Sequence, residues 1–187
     1  MRKMFLVAVI SAVFSFCLFG LFISNSYCQY ALGSMYEVGK LVNKDHKQAF
    51  NWYKQAADQG HAEAQYNLGS LYKHGQGVSK SYNQAFKWYK KAADQGLAEA
   101  QYGLGVIYDN RYGVDQDYAQ SFYWYQKAAK QGHAEAQYNL GVMYSHGMGV
   151  AQDYKQSLKW FKKAADQGDV YAQDAIKDIY NEGLHTL

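Results

Sequence analysis

Apolar and small residues recur at helical spacing along most of the chain. Within residues 62–73, Gln65, Leu68, Gly69 and Tyr72 follow the i, i+3, i+4, i+7 stripe of an amphipathic helix. Within 81–95, Tyr82, Ala85, Phe86, Tyr89, Ala92 and Ala93 form a second stripe of the same period. Glu63 falls in the first turn of the first helix, and Lys90 and Lys91 near the end of the second, where each charge opposes the helix dipole. Gly96 follows the second stripe and suits the left-handed residue that ends a helix. Between the stripes lies His74-Gly75-Gln76-Gly77-Val78-Ser79-Lys80, in which two glycines let the chain reverse and Val78 tucks under the turn. The chain has no proline, so glycine alone supplies its turn chemistry. The pattern predicts a helix, a turn and a helix.

This unit returns 36 residues later, without insertion or deletion. Gln65-Tyr66-Asn67-Leu68-Gly69 is echoed by Gln101-Tyr102-Gly103-Leu104-Gly105 and by Gln137-Tyr138-Asn139-Leu140-Gly141. Trp52, Trp88, Trp124 and Trp160 keep the same register, as do Tyr36, Tyr72, Tyr108, Tyr144 and Tyr180. The register divides residues 29–187 into helix pairs at about 26–61, 62–97, 98–133 and 134–169, followed by one capping helix at 170–182. Such a period predicts an all-α fold, an α/α superhelical solenoid in which each unit buries its apolar face against its neighbours. About three units suffice for a stable stack, so four clear that bar.

The turns vary. Gly147 and Gly149 repeat the glycine pair, whereas Arg111 and Tyr112 precede a single Gly113, which predicts a different turn there. The first unit keeps Gly39 and places Leu41 where the second glycine would be. Gly69, Gly105 and Gly141 fall inside helices, at a cost of about 1 kcal/mol each relative to alanine. Their recurrence points to a close approach of the second helix. The last helix has Lys177 at that position, and Asp174, Asp178 and Glu182 beside it, as a solvated cap requires.

These residues resemble the Sel1-like repeat family, relatives of the tetratricopeptide repeat. The family pattern, A-x-A-Q-x-x-L-G-x-x-Y-x-x-G-x-G-V then Y-x-x-A-x-x-W-Y-x-K-A-A-x-Q-G, matches units two and four almost throughout. The resemblance implies an α/α scaffold or adaptor that binds another protein, without catalysis or cofactor. Bacterial members are often exported and serve envelope or host-interaction roles. A cysteine-rich branch has disulfide-stapled units and β-lactam binding attributed to it; the repeats of this chain lack those cysteines, apart from Cys28 at the N-terminal edge.

Arg2 and Lys3 precede an apolar stretch from Met4 to Ile23, followed by Ser24-Asn25-Ser26-Tyr27-Cys28. A positive start, an apolar run and small residues read as a signal peptide over residues 1–28, cut after Ser26 or Cys28. The run is also long enough for an uncleaved signal anchor. Both readings place the repeats outside the cytoplasm, periplasmic or secreted in one case and membrane-anchored in the other. Tyr27 is too large for a lipoprotein box. Loss of Arg2 and Lys3 lowers the formal charge from +3 to +1, and a near-neutral surface argues against a nucleic-acid partner.

Candidate chemistry is sparse. Ser70-Leu71-Tyr72-Lys73 matches the S-x-x-K nucleophile motif, but no S-D-N or K-T-G string accompanies it, and Val106 and Val142 occupy the same repeat position. The six histidines form no H-x-x-x-H pair, and no metal site is expected. His61 and His133 share one repeat position, and His74 and His146 another. The tryptophans read as core anchors of the second helices. In related helix-pair solenoids the first helices line a concave face. By that analogy Glu63, Tyr66, Ser70 and Lys73, then Glu99, Tyr102, Val106 and Asp109, then Glu135, Tyr138, Val142 and Ser145 point inward, with Tyr30, Ser34 and Glu37 from the first unit. Tyrosines suit interface anchors because they join apolar area to a polar tip. The competing bland expectation is that these tyrosines pack between neighbouring helices. An envelope β-lactam-binding protein and a peptidoglycan-binding module are the alternative functions.

Overall fold

The computed structural model describes residues 25–184. The leader reading of residues 1–24 lies outside them, as do Cys17 and His185. The described residues form helices and turns and contain no strand. The helices are α1 (Ser26–Val38), α2 (His46–Asp58), α3 (Ala62–His74), α4 (Tyr82–Asp94), α5 (Ala98–Asn110), α6 (Tyr118–Lys130), α7 (Ala134–His146), α8 (Tyr154–Asp166) and α9 (Val170–Asn181). The chain is an all-α helical-repeat solenoid. Among the described residues no helix is long and apolar enough to cross a membrane.

Local sequence sets the helix ends. The side chains of Asp45, Asp117 and Asp153 accept hydrogen bonds from backbone N–H groups in the first turns of α2, α6 and α8. Gly39, Gly75 and Gly147 end α1, α3 and α7 in the left-handed conformation. The expectation of a different turn at Arg111 is corrected here. Arg111 itself adopts φ 59° and its N–H bonds the Ile107 carbonyl, as Gly75 does with Leu71. Closing that hydrogen bond outweighs the strain of a left-handed arginine. Leu41 is also left-handed, at φ 77°. Its counterparts show what glycine otherwise supplies. A Cβ on Gly77 would meet the His46 carbonyl oxygen, and one on Gly149 the Tyr118 carbonyl oxygen, both at 2.2 Å. Leu41 is instead 50% exposed.

The contacts divide the chain into two compact units, one ending at Trp88 and one starting at Tyr89, within α4. In the first, α1 packs on α2 and α2 on α3. Its core joins Ala49, Tyr53, Ala56, Leu68 and Leu71 to Trp88. Val78 packs against this core from the turn, as the sequence suggests. Ser26, Tyr27 and Cys28, which the sequence also offers as the end of a leader, form the first turn of α1. Cys28 sits at the repeat position of Ala64, Ala100 and Ala136.

In the second unit each helix from α5 to α9 packs on the next. Trp160 is buried with Leu140, Met143 and alanines of α6 and α7, and Trp124 is buried as well. The helical glycines do let the second helices approach. A Cβ on Gly105 would lie 2.4 Å from the Tyr125 ring, and one on Gly141 2.6 Å from the Phe161 ring. The same closeness lets the hydroxyls of Ser121 and Ser157 donate to the Gly105 and Gly141 carbonyls, at 3.0 and 2.8 Å.

Two recurrent glutamines hold successive helices together. Gln137 is buried, and its Nε2 donates to the Ala129 carbonyl at 3.1 Å. Gln167, just past α8, donates to Gln137 Oε1 at 2.8 Å and to the Gly132 carbonyl at 2.9 Å. Gln101 and Gln131 repeat the arrangement one unit earlier, with Gln131 reaching the Gly96 carbonyl at 2.8 Å. Gln173 on α9 has the same repeat position but is exposed, and no carbonyl of α8 receives its side chain among the described residues.

Candidate protein-binding face

The fifteen residues expected at a binding face fall into two sets, one in each unit. In the first unit, Tyr30, Ser34, Glu37, Tyr66, Ser70 and Lys73 are half-buried and Glu63 is exposed. In the second, Glu99 and Glu135 are exposed, while Tyr102, Val106, Asp109, Tyr138, Val142 and Ser145 are half-buried.

The tyrosines pack as well as present. Tyr30 stacks on His61, with ring centroids 4.7 Å apart, and Tyr102 stacks on His133 at 4.5 Å. Tyr102 also tilts against Tyr125, and Tyr138 against Phe161. The histidines do structural work at these positions. Nδ1 of His61 and of His133 accepts from the N–H of Ala64 and of Ala136, capping α3 and α7. His74 and His146 close the same helices at their other ends, where Nδ1 faces the carbonyls of Ser70 and Val142. Among the described residues no group of three or more His, Cys, Asp or Glu could hold a metal ion. The Ser70 hydroxyl lies 3.4 Å from His74 Nδ1 rather than on Lys73.

Beneath the tyrosines a polar triad recurs. In the first unit Tyr53 is buried and donates to Glu37 Oε2 at 2.6 Å, with Asn67 beside it. In the second, Tyr125 reaches Asp109 Oδ2 at 3.5 Å, with Asn139 beside it. Burial first, and the adjacent carboxylate second, push both phenols well above their usual range. Burial also raises the Asp109 carboxyl, partly offset by the Tyr125 hydrogen bond. One repeat further on, all three members change together: Phe161, Ser145 and Ala175 replace Tyr125, Asp109 and Asn139.

At that altered position the surface opens into a cavity of about 420 Å³ between α7, α8 and α9. Tyr138, Val142, Phe161 and Ile179 supply apolar walls, and Asp178 and Glu182 carboxylates. A larger depression, about 800 Å³, lies on the turn formed by Arg111, Gly113, Val114, Asp115 and Gln116, with only Val114 to offer an apolar side chain. The first cavity is the better candidate because a binding site needs apolar area with a few placed polar groups.

The model of the Sel1 repeat matches residues 26–61, 62–97, 98–133 and 134–169. This chain belongs to the Sel1 repeat family. Among solved structures, this Sel1 repeat protein is similar to a protective antigen of uropathogenic Escherichia coli displaying an SLR fold. The two share 41% identity over 87% of this chain and 35% of that one, with a TM-score of 0.84. The chain thus spans about a third of the length of that antigen. A Sel1 repeat protein from Oxalobacter formigenes shares 38% identity over 88% of this chain and 67% of that one, with a TM-score of 0.81. Helicobacter pylori cysteine-rich protein B shares 26% identity over 73% of this chain and 98% of that one, with a TM-score of 0.56. No curated protein matches the chain. Sel1 repeat proteins are generally non-catalytic scaffolds that bind other proteins.

The glutamine links and the polar triad escape a reading of single helices. Both were signalled only by identical offsets across units, Gln101 with Gln131 and Gln137 with Gln167 for the links.

Proposed function

We propose that this Sel1 repeat protein is an exported, non-catalytic scaffold that grips a segment of an envelope or host protein along its first helices. Two surfaces would serve: Tyr30, Glu63, Tyr66, Ser70 and Lys73 in the first unit, and Glu99, Tyr102, Val106, Asp109, Glu135, Tyr138, Val142 and Ser145 in the second. The observation that carries the reading is the cavity bordered by Tyr138, Val142 and Ser145, three of the residues expected to face a partner. Half-buried tyrosines held in place by ring stacking are pre-ordered, which lowers the entropy lost on binding. Export rests on the charged and apolar pattern of residues 2–23.

The test is capture of proteins from envelope and host-cell extracts by the immobilised full chain, against Glu63→Lys/Glu99→Lys/Glu135→Lys. These glutamates are exposed, so the variant should keep its fold, checked by helical circular dichroism. Capture lost in the variant supports the reading. Equal capture by both, or none by either, overturns it. Export is checked separately by protease access to the repeats in intact cells.

A further inference from the structure

In the last repeat the three positions of the polar triad carry Ser145, Phe161 and Ala175. In the repeat before it, the Tyr125 hydroxyl lies 3.5 Å from the Asp109 carboxylate at the corresponding place. Phe161 and Ala175 remove the phenol hydroxyl and the amide, and Ser145 replaces the carboxylate by a shorter hydroxyl that bonds the Val142 carbonyl. The cavity lies over these same three residues. Its volume, about 420 Å³, is within the range of about 300–1,000 Å³ found for ligand pockets.

The charges around it have one sign. Asp178 and Glu182 are the charged lining residues, and no lysine or arginine joins them. Asp178 lies in the last turn of α9 and Glu182 caps its end four residues on, so the two carboxylates stand near one another and repel. Both are exposed. Lys177, which feels the Asp178 charge, is hydrogen-bonded to Asp174 at 2.8 Å. Glu182 has no ion pair among the described residues. A cation entering here would relieve the repulsion without breaking an existing bond.

The geometry points to a docking site between α7, α8 and α9 for a protein segment that buries one large apolar side chain against Phe161 and Ile179 and sets a flanking lysine or arginine on Asp178 and Glu182. This rests on the scaffold reading and names the chemistry of the segment one of its surfaces takes.

The test is amide NMR of the full chain titrated with the acetylated, amidated pentapeptide Ala-Lys-Leu-Lys-Ala. Shifts should centre on Val142, Phe161 and Ile179. Asp178→Asn and Glu182→Gln should each weaken binding about two- to fivefold, the range for exposed charge pairs. The variant Ser145→Asp/Phe161→Tyr/Ala175→Asn rebuilds the triad of the preceding repeat and should abolish binding while leaving helicity unchanged. Equal binding of Ala-Glu-Leu-Glu-Ala would overturn the proposal, as would unaltered affinity in the carboxylate variants. Self-association of the chain that Glu182→Lys disrupts would give the face to a second copy and would also refute it. Absence of extract capture by the parent chain, with pentapeptide binding retained, would count against the wider scaffold reading and not against this site.

Discussion

Replacing Gly105 by alanine sets two effects of known sign against each other. Alanine in a helix interior is worth about 1 kcal/mol more than glycine. Against this, the new methyl would sit 2.4 Å from the Tyr125 ring. Carbon atoms rest about 3.5–4.0 Å apart, so the ring must retreat by more than about 1 Å. Tyr125 has no room for that. It is fully buried, its ring lies against Tyr102, and its hydroxyl faces Asp109 at 3.5 Å. Overpacking of this kind costs about 1–3 kcal/mol, and a displacement this large belongs at the upper end. The net expectation is a loss of about 2 kcal/mol, or roughly 4–8 °C in Tm for a domain of this size. Gly103, two residues earlier on α5, is the internal control. A Cβ there would approach the Tyr89 ring at 3.3 Å, a conflict that a shift of a few tenths of an ångström resolves. Gly103→Ala should therefore be neutral or stabilising. Urea and thermal unfolding of both variants, followed by circular dichroism, compare the contact at constant propensity. A Gly105→Ala protein as stable as Gly103→Ala would refute the close-approach account of the helical glycines.

Arg111→Gly should raise stability by about 1 kcal/mol in urea unfolding, because the left-handed conformation costs a non-glycine residue about that much. Gln137→Leu strips the Ala129 carbonyl and Gln167 of their partner and should lower stability by about 1–3 kcal/mol; an unchanged urea midpoint would mean that the glutamine link is ornamental. Asp109 has a raised carboxyl pKa in the folded chain, so the folded state holds its proton more tightly than the unfolded state does. Its contribution is fully present below the unfolded pKa of about 3.9 and is lost as pH rises through the folded value. Asp109→Asn should accordingly unfold at a higher temperature than the parent at neutral pH, with the difference shrinking towards pH 3; a difference that grows on acidification would contradict the burial argument.

The helix pairs were readable because 3.6-residue periodicity and a 36-residue echo agree at every unit. The role of Gly105 and Gly141 was readable for the same reason: a costly residue that recurs at one site needs a shared cause. The Arg111 turn was misjudged because propensity counts the price of a left-handed arginine and omits the hydrogen bond to Ile107 that the turn secures. The tyrosines divided the two expectations between them. Tyr102 and Tyr138 are half-buried, packed on one side and open on the other, which no helical wheel distinguishes. The cavity was hardest to foresee. Ser145, Phe161 and Ala175 all line it, and each alone looks unremarkable beside its counterpart.

The unpaired Gln173 has a kinetic meaning. Helices α5 to α8 are cross-linked by amide bridges, so opening one of them strands donors or carbonyls on its neighbour. Helix α9 packs on its neighbours through apolar contacts, and its Gln173 side chain is exposed where Gln137 and Gln101 are buried. Its amide protons should trade with solvent deuterium fastest of the second unit, in a sub-global opening that leaves α7 and α8 folded. Opening of α9 would thus leave the amide bridges of the preceding helices intact.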